Sequence, residues 1–430
     1  MSGIRESFQR AGTFKKVYLY CYLFILIYIE FGYKMVVANG LSGNARTMIL
    51  LLFTMPVFFF KKQAYLNKSS VFLFFYLSIV IMLNVMRDST YENYILLFVP
   101  IFIGFVISAF INIKTVISVF SNIMFFLAAY SLLIFAVALF SPGIIVQLPA
   151  LGNRLDTAAI VHDALFAVVL SNAENVRNYG IAWEPGAFAL LLCIAVFCDM
   201  NMPKKIPVKK VVVMILAIIT TFSTMGYIVL AAIVFSSLGK TKVMSKHSLG
   251  AVLGVFALLI LIIYLLPDES RELVFSKLTG LFSDNGSNVS YTTQARLNAI
   301  KYPLEAFLSS PLFGVGYDKF SYINRTLCNG VATNTVINWF AVMGLFFGLP
   351  CIVGYLRTVL QVSNYAKLNL FAKILIIVAS LLLISTESLL RISLVYTIIF
   401  YGFGNNNFTE ENTEDAISLH SGSIQTESVR

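Results

Sequence analysis

Long runs of apolar residues constrain this chain more than any motif does. They fall at roughly 17 to 36, 41 to 60, 70 to 86, 95 to 113, 115 to 140, 185 to 200, 248 to 266, 333 to 356, 369 to 385 and 389 to 404. A helix needs about 20 such residues to cross a bilayer, so each run reads as a candidate span. Composition points the same way: 58% of the 430 residues are hydrophobic and 12% are charged, against about 25% charged in a soluble domain. A soluble chain of this length would divide into two or three domains with polar surfaces. No such surface is available here, and the expected solvent is lipid.

An eleventh segment, 211 to 238, is too long for one upright helix and short for two. Its middle, Thr220-Thr221-Phe222-Ser223-Thr224-Met225-Gly226, interrupts the hydrophobicity with hydroxyls and a glycine. Charge decides between the readings. Lys204, Lys205, Lys209 and Lys210 precede the segment, and Lys240, Lys242 and Lys246 follow it. A hairpin of two short helices returns both clusters to the cytoplasmic side, as the positive-inside bias requires. The expectation is therefore an all-α, polytopic membrane protein with about twelve transmembrane helices, forming a single membrane domain over 1–404. A disordered cytoplasmic tail over 405–430 follows. The N-terminal basic residues Arg5, Arg10, Lys15 and Lys16 and the Lys61, Lys62, Lys68 loop also fall inside. Two large loops, about 141–184 and 267–332, then lie on the outer face. Glu30 and Lys34 argue against cleavage of the first run as a signal peptide. No internal repeat divides the chain into the matched halves of many transporters.

The net charge of +10, from 31 Lys and Arg against 21 Asp and Glu, is explained by this topology. Basic residues cluster between apolar runs without the interleaved aromatics that base stacking needs, so no nucleic-acid partner is expected. Of five cysteines, Cys21, Cys193, Cys198 and Cys351 sit in apolar runs and Cys328 stands alone in a polar one. That pattern gives neither a disulfide framework nor metal-ligand spacing. Among the histidines only His162 lies in an outer loop. Glu30 and Arg391 are charges within apolar runs and Glu387 lies between two of them; such charges are costly and therefore functional candidates, and the last two, four residues apart, suit a pair at a helix-hairpin tip.

The first outer loop reads Arg177-Asn178-Tyr179-Gly180-Ile181-Ala182-Trp183-Glu184-Pro185-Gly186 before the chain turns apolar. Pro185 suits the first helical turn, and Glu184 would sit at the positive end of the helix dipole. Without chemistry this is a capped helix start. The same arrangement offers a carboxylate, an arginine and open backbone N–H groups to a phosphate. In the second outer loop, apolar residues at 297, 300, 304, 307 and 308 follow Thr292 and Thr293 with helical, one-sided spacing. Such a helix lies along the interface with Arg296 flanking its apolar face, as a headgroup ligand or simply a snorkelling arginine. Beyond it Pro311-Leu312-Phe313-Gly314-Val315-Gly316 makes a turn rather than a P-loop. Thr333-Asn334-Thr335 opens the next run, and Gly344 follows.

In order and spacing these motifs, from Arg177 to Gly344, resemble the superfamily of bacterial O-antigen polymerases (Wzy-type) and O-antigen ligases. The resemblance implies a glycosyltransferase of the GT-C-like, all-helical kind in the bacterial inner membrane, with its active site on the outer, periplasmic face. Such an enzyme joins polyprenyl-diphosphate-linked repeat units of O-antigen, capsule or exopolysaccharide without nucleotide sugar, metal or other cofactor. Its partners are the polyprenyl-diphosphate-linked glycan as donor and acceptor, the lipid bilayer, a chain-length regulator and a flippase. Thr333 stands where the ligases carry a histidine, which favours the polymerase over the ligase. A transporter of lipid-linked oligosaccharide is the alternative from another class.

The expected chemistry follows from charge. Breaking a sugar C1 bond to diphosphate develops negative charge on the leaving group, which fixed guanidiniums stabilise most in the transition state, and arginine does so bidentately. Arg177 and Arg296 are the candidates. The incoming hydroxyl calls for a general base: Glu184 first, then Asp318 and His162. Tyr179, Gly180, Gly314, Gly316, Asp318 and Asn334 complete the expected substrate contacts.

Overall fold

The computed structural model describes residues 2–38, 40–63, 67–88, 91–153, 159–171, 176–202, 206–238, 291–328 and 333–404, with side chains for all of these except 2–13, 60–63, 153, 238 and 291–296. Helices dominate. In chain order they are α1 (Ser2–Phe31), α2 (Tyr33–Val36), α3 (Gly43–Thr54) continuing into a 3-10 helix (Met55–Gln63), α4 (Lys68–Val85), α5 (Glu92–Phe110), α6 (Ile113–Phe140) and α7 (Pro142–Val146). Then come α8 (Pro185–Asn201), α9 (Val208–Thr220), α10 (Thr224–Leu238), α11 (Tyr291–Ser309), α12 (Gly316–Leu327), α13 (Thr335–Tyr365), α14 (Leu370–Ile384) and α15 (Ser393–Phe403). Every apolar run except 248 to 266, which lies outside the described residues, coincides with helix. The expected tail at 405–430 and the loop at 267–290 also lie outside them.

Among the described residues α4, α5, α6 and α13 are long and apolar enough to cross a membrane, and α8, α10, α14 and α15 are shorter apolar helices. The architecture is that of a membrane-embedded helical protein. Asparagine starts many of these helices. Asn67, Asn112, Asn334 and Asn369 each accept a hydrogen bond from an N–H of the first turn, satisfying a donor that a helix leaves open. Segment 211 to 238 divides as its hydroxyls suggested. Helix α9 ends at Thr220, Phe222 adopts φ +51°, and Ser223 Oγ accepts from the Gly226 N–H of α10 at 3.2 Å.

One departure from an all-helical reading lies in the first large loop. Strands β1 (Ala150–Asn153), β2 (Ile160–Asp163) and β3 (Val168–Ser171) form an antiparallel meander in the order β1-β2-β3. Its aliphatic residues pack on both faces: Val161, Val168 and Leu170 against Tyr33 and Tyr179, and Val169 against Ala138 and Ile145. Each strand has only four residues, too short for an alternating pattern to stand out in sequence.

Helix α15 packs between α5 and α13 through small residues. A methyl added at Gly402 would lie 2.0 Å from the Gly354 carbonyl oxygen, and one at Gly104 would lie 2.7 Å from the Thr397 nitrogen. Such close backbone approach is how apolar helices gain contact in lipid. Hydrogen bonds define the two ends of the bundle. At one end Asn67 donates to the Phe403 carbonyl (2.9 Å) and Lys210 pairs with Asp199 (3.1 Å). At the other, the end of α1, the starts of α8, α12, α13 and α15, and the sheet come together. Tyr33 N–H donates to the Ile181 carbonyl and Trp183 N–H to the Phe31 carbonyl.

Candidate functional site

The N-terminus of α8 is the centre of the second end. Glu184 is its N-cap residue, in extended conformation with no side-chain capping bond. Pro185 occupies the first helical position. A methyl placed on Gly186 would lie 2.9 Å from Glu387 Oε1 and 3.2 Å from Glu184 Oε1. Two carboxylates from distant parts of the chain therefore flank one glycine at the positive end of a helix dipole. Glu387 is held from two sides. Trp183 Nε1 donates to its Oε2 at 3.3 Å, and its backbone carbonyl accepts from Thr335 N (3.2 Å) and Thr335 Oγ1 (2.6 Å). Thr335 Oγ1 in turn accepts from Leu389 N–H at 2.7 Å. The Thr333-Asn334-Thr335 motif is thus a brace for the turn at 385–392. Asn334 begins α13 with φ +73°, its side chain accepting from Ile337 N–H.

A cavity of about 340 Å³ opens beside Glu387, lined among others by Glu30, Arg46, Trp183, Glu387 and Arg391. Glu30 is buried at the end of α1. Its Oε1 accepts from the Ser393 N–H at 2.7 Å, capping α15, whose own N-cap residue Ile392 has no side-chain acceptor. Arg391 donates to Asn93 Oδ1 at 2.9 Å and lies over the Tyr317 ring at 5.0 Å. Burial pushes the Tyr317 phenol up and the Arg391 charge draws it partly back; the net shift keeps the ring neutral beneath the cation. Arg391 and Glu387 both sit in the turn between α14 and α15, where Glu387 takes the Trp183 indole N–H and Arg391 holds Asn93. Arg46 lies within the 41 to 60 apolar run, and an arginine in such a run is the sequence signal for it.

The residues singled out from the motifs occupy joints around this end. Arg177 donates through Nε to the Thr221 carbonyl (3.1 Å) and through Nη2 to the Phe222 carbonyl (3.0 Å), so its guanidinium closes the C-terminus of α9. Asn178 continues this seam, its N–H donating to the Thr220 carbonyl at 2.9 Å. Tyr179 is buried against the sheet, and Gly180, with φ +50°, faces the Phe188 ring. His162 is fixed in β2, with Nδ1 2.9 Å from the Leu148 carbonyl oxygen and Nε2 2.8 Å from Ser171 Oγ. Arg296 belongs to α11, and its side chain lies outside the described residues.

The Gly314 to Gly316 turn is also occupied. Asp88, from between α4 and α5, accepts through Oδ2 from the N–H groups of Tyr317 (2.8 Å) and Asp318 (3.3 Å) and from the Tyr94 hydroxyl (2.9 Å). A carboxylate of the chain itself thus fills the anion position at the start of α12, and Asp318 lies in the first turn of that helix. Gly314 serves a different purpose. It and Gly344, with φ +71° and +74°, bring the Leu312 to Gly314 backbone against a kink in α13. Val315 N–H donates to the Ala341 carbonyl and Leu345 N–H to the Pro311 carbonyl, both at 2.8 Å. A methyl on Gly344 would sit 2.3 Å from the Leu312 oxygen, so no larger residue fits either position.

Among the described residues no group of three or more His, Cys, Asp or Glu side chains is placed to hold a metal ion. Compared with known proteins, the chain matches no family model and no curated sequence. The site's geometry is the basis for a functional reading.

Proposed function

We propose that this chain is a polysaccharide repeat-unit polymerase of the bacterial inner membrane. In this reading it has about twelve spans and a GT-C-like arrangement, and it joins polyprenyl-diphosphate-linked oligosaccharides at the outer face. The observation that carries the reading is the convergence of Glu184 and Glu387 on Gly186, beside a cavity bearing two guanidiniums at one end of an apolar helical bundle. Group transfer from a lipid diphosphate needs that combination: a carboxylate to take a proton and cations to hold the leaving group.

In the proposed step the acceptor sugar hydroxyl attacks C1 of the donor sugar and gives its proton to Glu184. The C1 to oxygen bond breaks, and its electron pair leaves with the polyprenyl diphosphate. Glu387 accepts from a neighbouring hydroxyl of the acceptor sugar and so orients it. Arg296 is proposed as a diphosphate ligand from the second outer loop. Arg177 is proposed as another, in addition to holding the helix break at Thr221 and Phe222. The test is glycan analysis of a deletion strain complemented with wild-type, E184Q or E387Q protein. The expected result is single, unextended repeat units in the deletion and in both variants, with the variant proteins inserted at normal levels. Normal polymer in the deletion strain would defeat the polymerase reading.

A further inference from the structure

The cavity at the α8 end holds two polar atoms that the protein itself leaves unsatisfied. Arg46 Nε and Glu30 Oε2 are both buried without a hydrogen-bond partner. Both residues line the same cavity of about 340 Å³, with Arg391 on its wall. An unsatisfied buried donor and acceptor are each costly, and two neighbouring guanidiniums repel one another unless an anion lies between them. Glu30 is 7% exposed and its Oε1 accepts from the Ser393 N–H; the start of α15 also presents the Ser393 hydroxyl to this carboxyl, and the cavity is where Oε2 meets a further donor. The unmet needs are therefore complementary: anionic oxygens for Arg46 and Arg391, and a hydroxyl or other donor for Glu30.

From this we infer that the cavity is a binding site for an anionic sugar headgroup, its charged oxygens held between Arg46 and Arg391 and a ring hydroxyl donating to Glu30 Oε2. Trp183, whose ring stacks on Phe31 with centroids 5.2 Å apart, supplies the apolar wall against which a pyranose face packs. The anionic oxygens belong either to a phosphate ester at C1 or to a uronate carboxylate; the two share the chemistry that Arg46 and Arg391 recognise. The inference deepens the polymerase reading by naming what its cavity recognises, and it rests on residues that the motif resemblance does not include.

The test is isothermal titration calorimetry on the full chain in lipid nanodiscs, with glucose 1-phosphate, glucuronate, glucose and inorganic pyrophosphate as separate probes. Saturable binding of glucose 1-phosphate identifies a phosphate ester, and saturable binding of glucuronate identifies an acidic sugar. Either is expected to exceed glucose by at least tenfold. Arg46→Gln should weaken the favoured probe at least tenfold and Arg46→Lys less so, with unchanged melting temperature in both. Arg46 is the informative variant because Arg391 also holds Asn93 and Tyr317, so R391Q could disturb the fold. Equal binding of glucose, no saturable heat with either anionic sugar, pyrophosphate binding as tightly as glucose 1-phosphate, or unchanged affinity in R46Q would each overturn the inference. A deletion strain that retains its polymer would defeat the polymerase reading while leaving the binding result standing.

Discussion

Two cavities lie on either side of one aromatic pair, and they treat polar atoms in opposite ways. The larger, lined by Trp183, carries Arg46, Arg391, Glu30 and Glu387. The smaller, about 160 Å³ and lined by Phe31, is bounded almost entirely by aliphatic and aromatic carbon from α6, α8, α10 and α13 to α15. The hydroxyls on its wall are satisfied by helix carbonyls: Thr358 Oγ1 donates across to the Ile398 carbonyl of α15 (2.5 Å), and within their own helices Ser380 donates to Ile377 (2.9 Å) and Thr397 to Ser393 (2.9 Å). An apolar void of that kind stays dry. The polar cavity instead leaves a guanidinium nitrogen and a carboxylate oxygen unmatched. A chain that pairs its polar groups so thoroughly in one chamber leaves them open in the next because a ligand completes them.

The sharpest way to break this contrast is to place a charge on the wrong side. Leu191, 1% exposed on the wall of the dry cavity, replaced by Asp would bury an unpaired carboxylate. The expected cost is about 4 kcal/mol or more, seen as loss of the monodisperse peak in size-exclusion chromatography. Removing the partition comes next. Trp183→Ala should cost about 3 kcal/mol from lost packing, measured as a lower melting temperature. Glu30→Leu should cost about 2 kcal/mol, since a charge-assisted hydrogen bond at the α15 start is lost; Glu30→Gln, which keeps an acceptor, should cost less. Asp88→Ala, which uncaps α12, should cost about 1 kcal/mol and accelerate amide exchange at Tyr317 and Asp318. The smallest effect is expected at Arg46→Gln. Its Nε has no internal hydrogen bond to lose, so melting should shift by the equivalent of about 0.5 kcal/mol or less. A large loss there would mean that Arg46 is structural and the two cavities are less different than they look.

Much of the helical framework was legible from hydropathy because a helix writes its burial along consecutive residues. The break at Thr220 to Gly226 was legible for the same reason, since hydroxyls and a glycine interrupt that record. The site was less so. Glu184 and Glu387 meet across 203 positions of chain, and Asp88 caps α12 from 229 positions away; neither juxtaposition leaves a local pattern. The Pro311 to Gly316 motif read as a turn, but the carboxylate that takes the amides after it lies in another part of the sequence. His162 illustrates the reverse. An isolated loop histidine looked available for chemistry, but it lies in a three-stranded sheet too short to announce itself, with its ring nitrogens held by Ser171 of that sheet and by the Leu148 carbonyl before it.

The seam between Gly314 and Gly344 has a mechanical consequence. Two backbones in direct contact have no side chains between them to change rotamer and absorb a displacement. Any tilt of α12 therefore passes undamped into the first nine residues of α13, whose leading hydroxyl grips the turn that carries Glu387. Helix α12 and that carboxylate form a stiff lever, with its fulcrum at the kink.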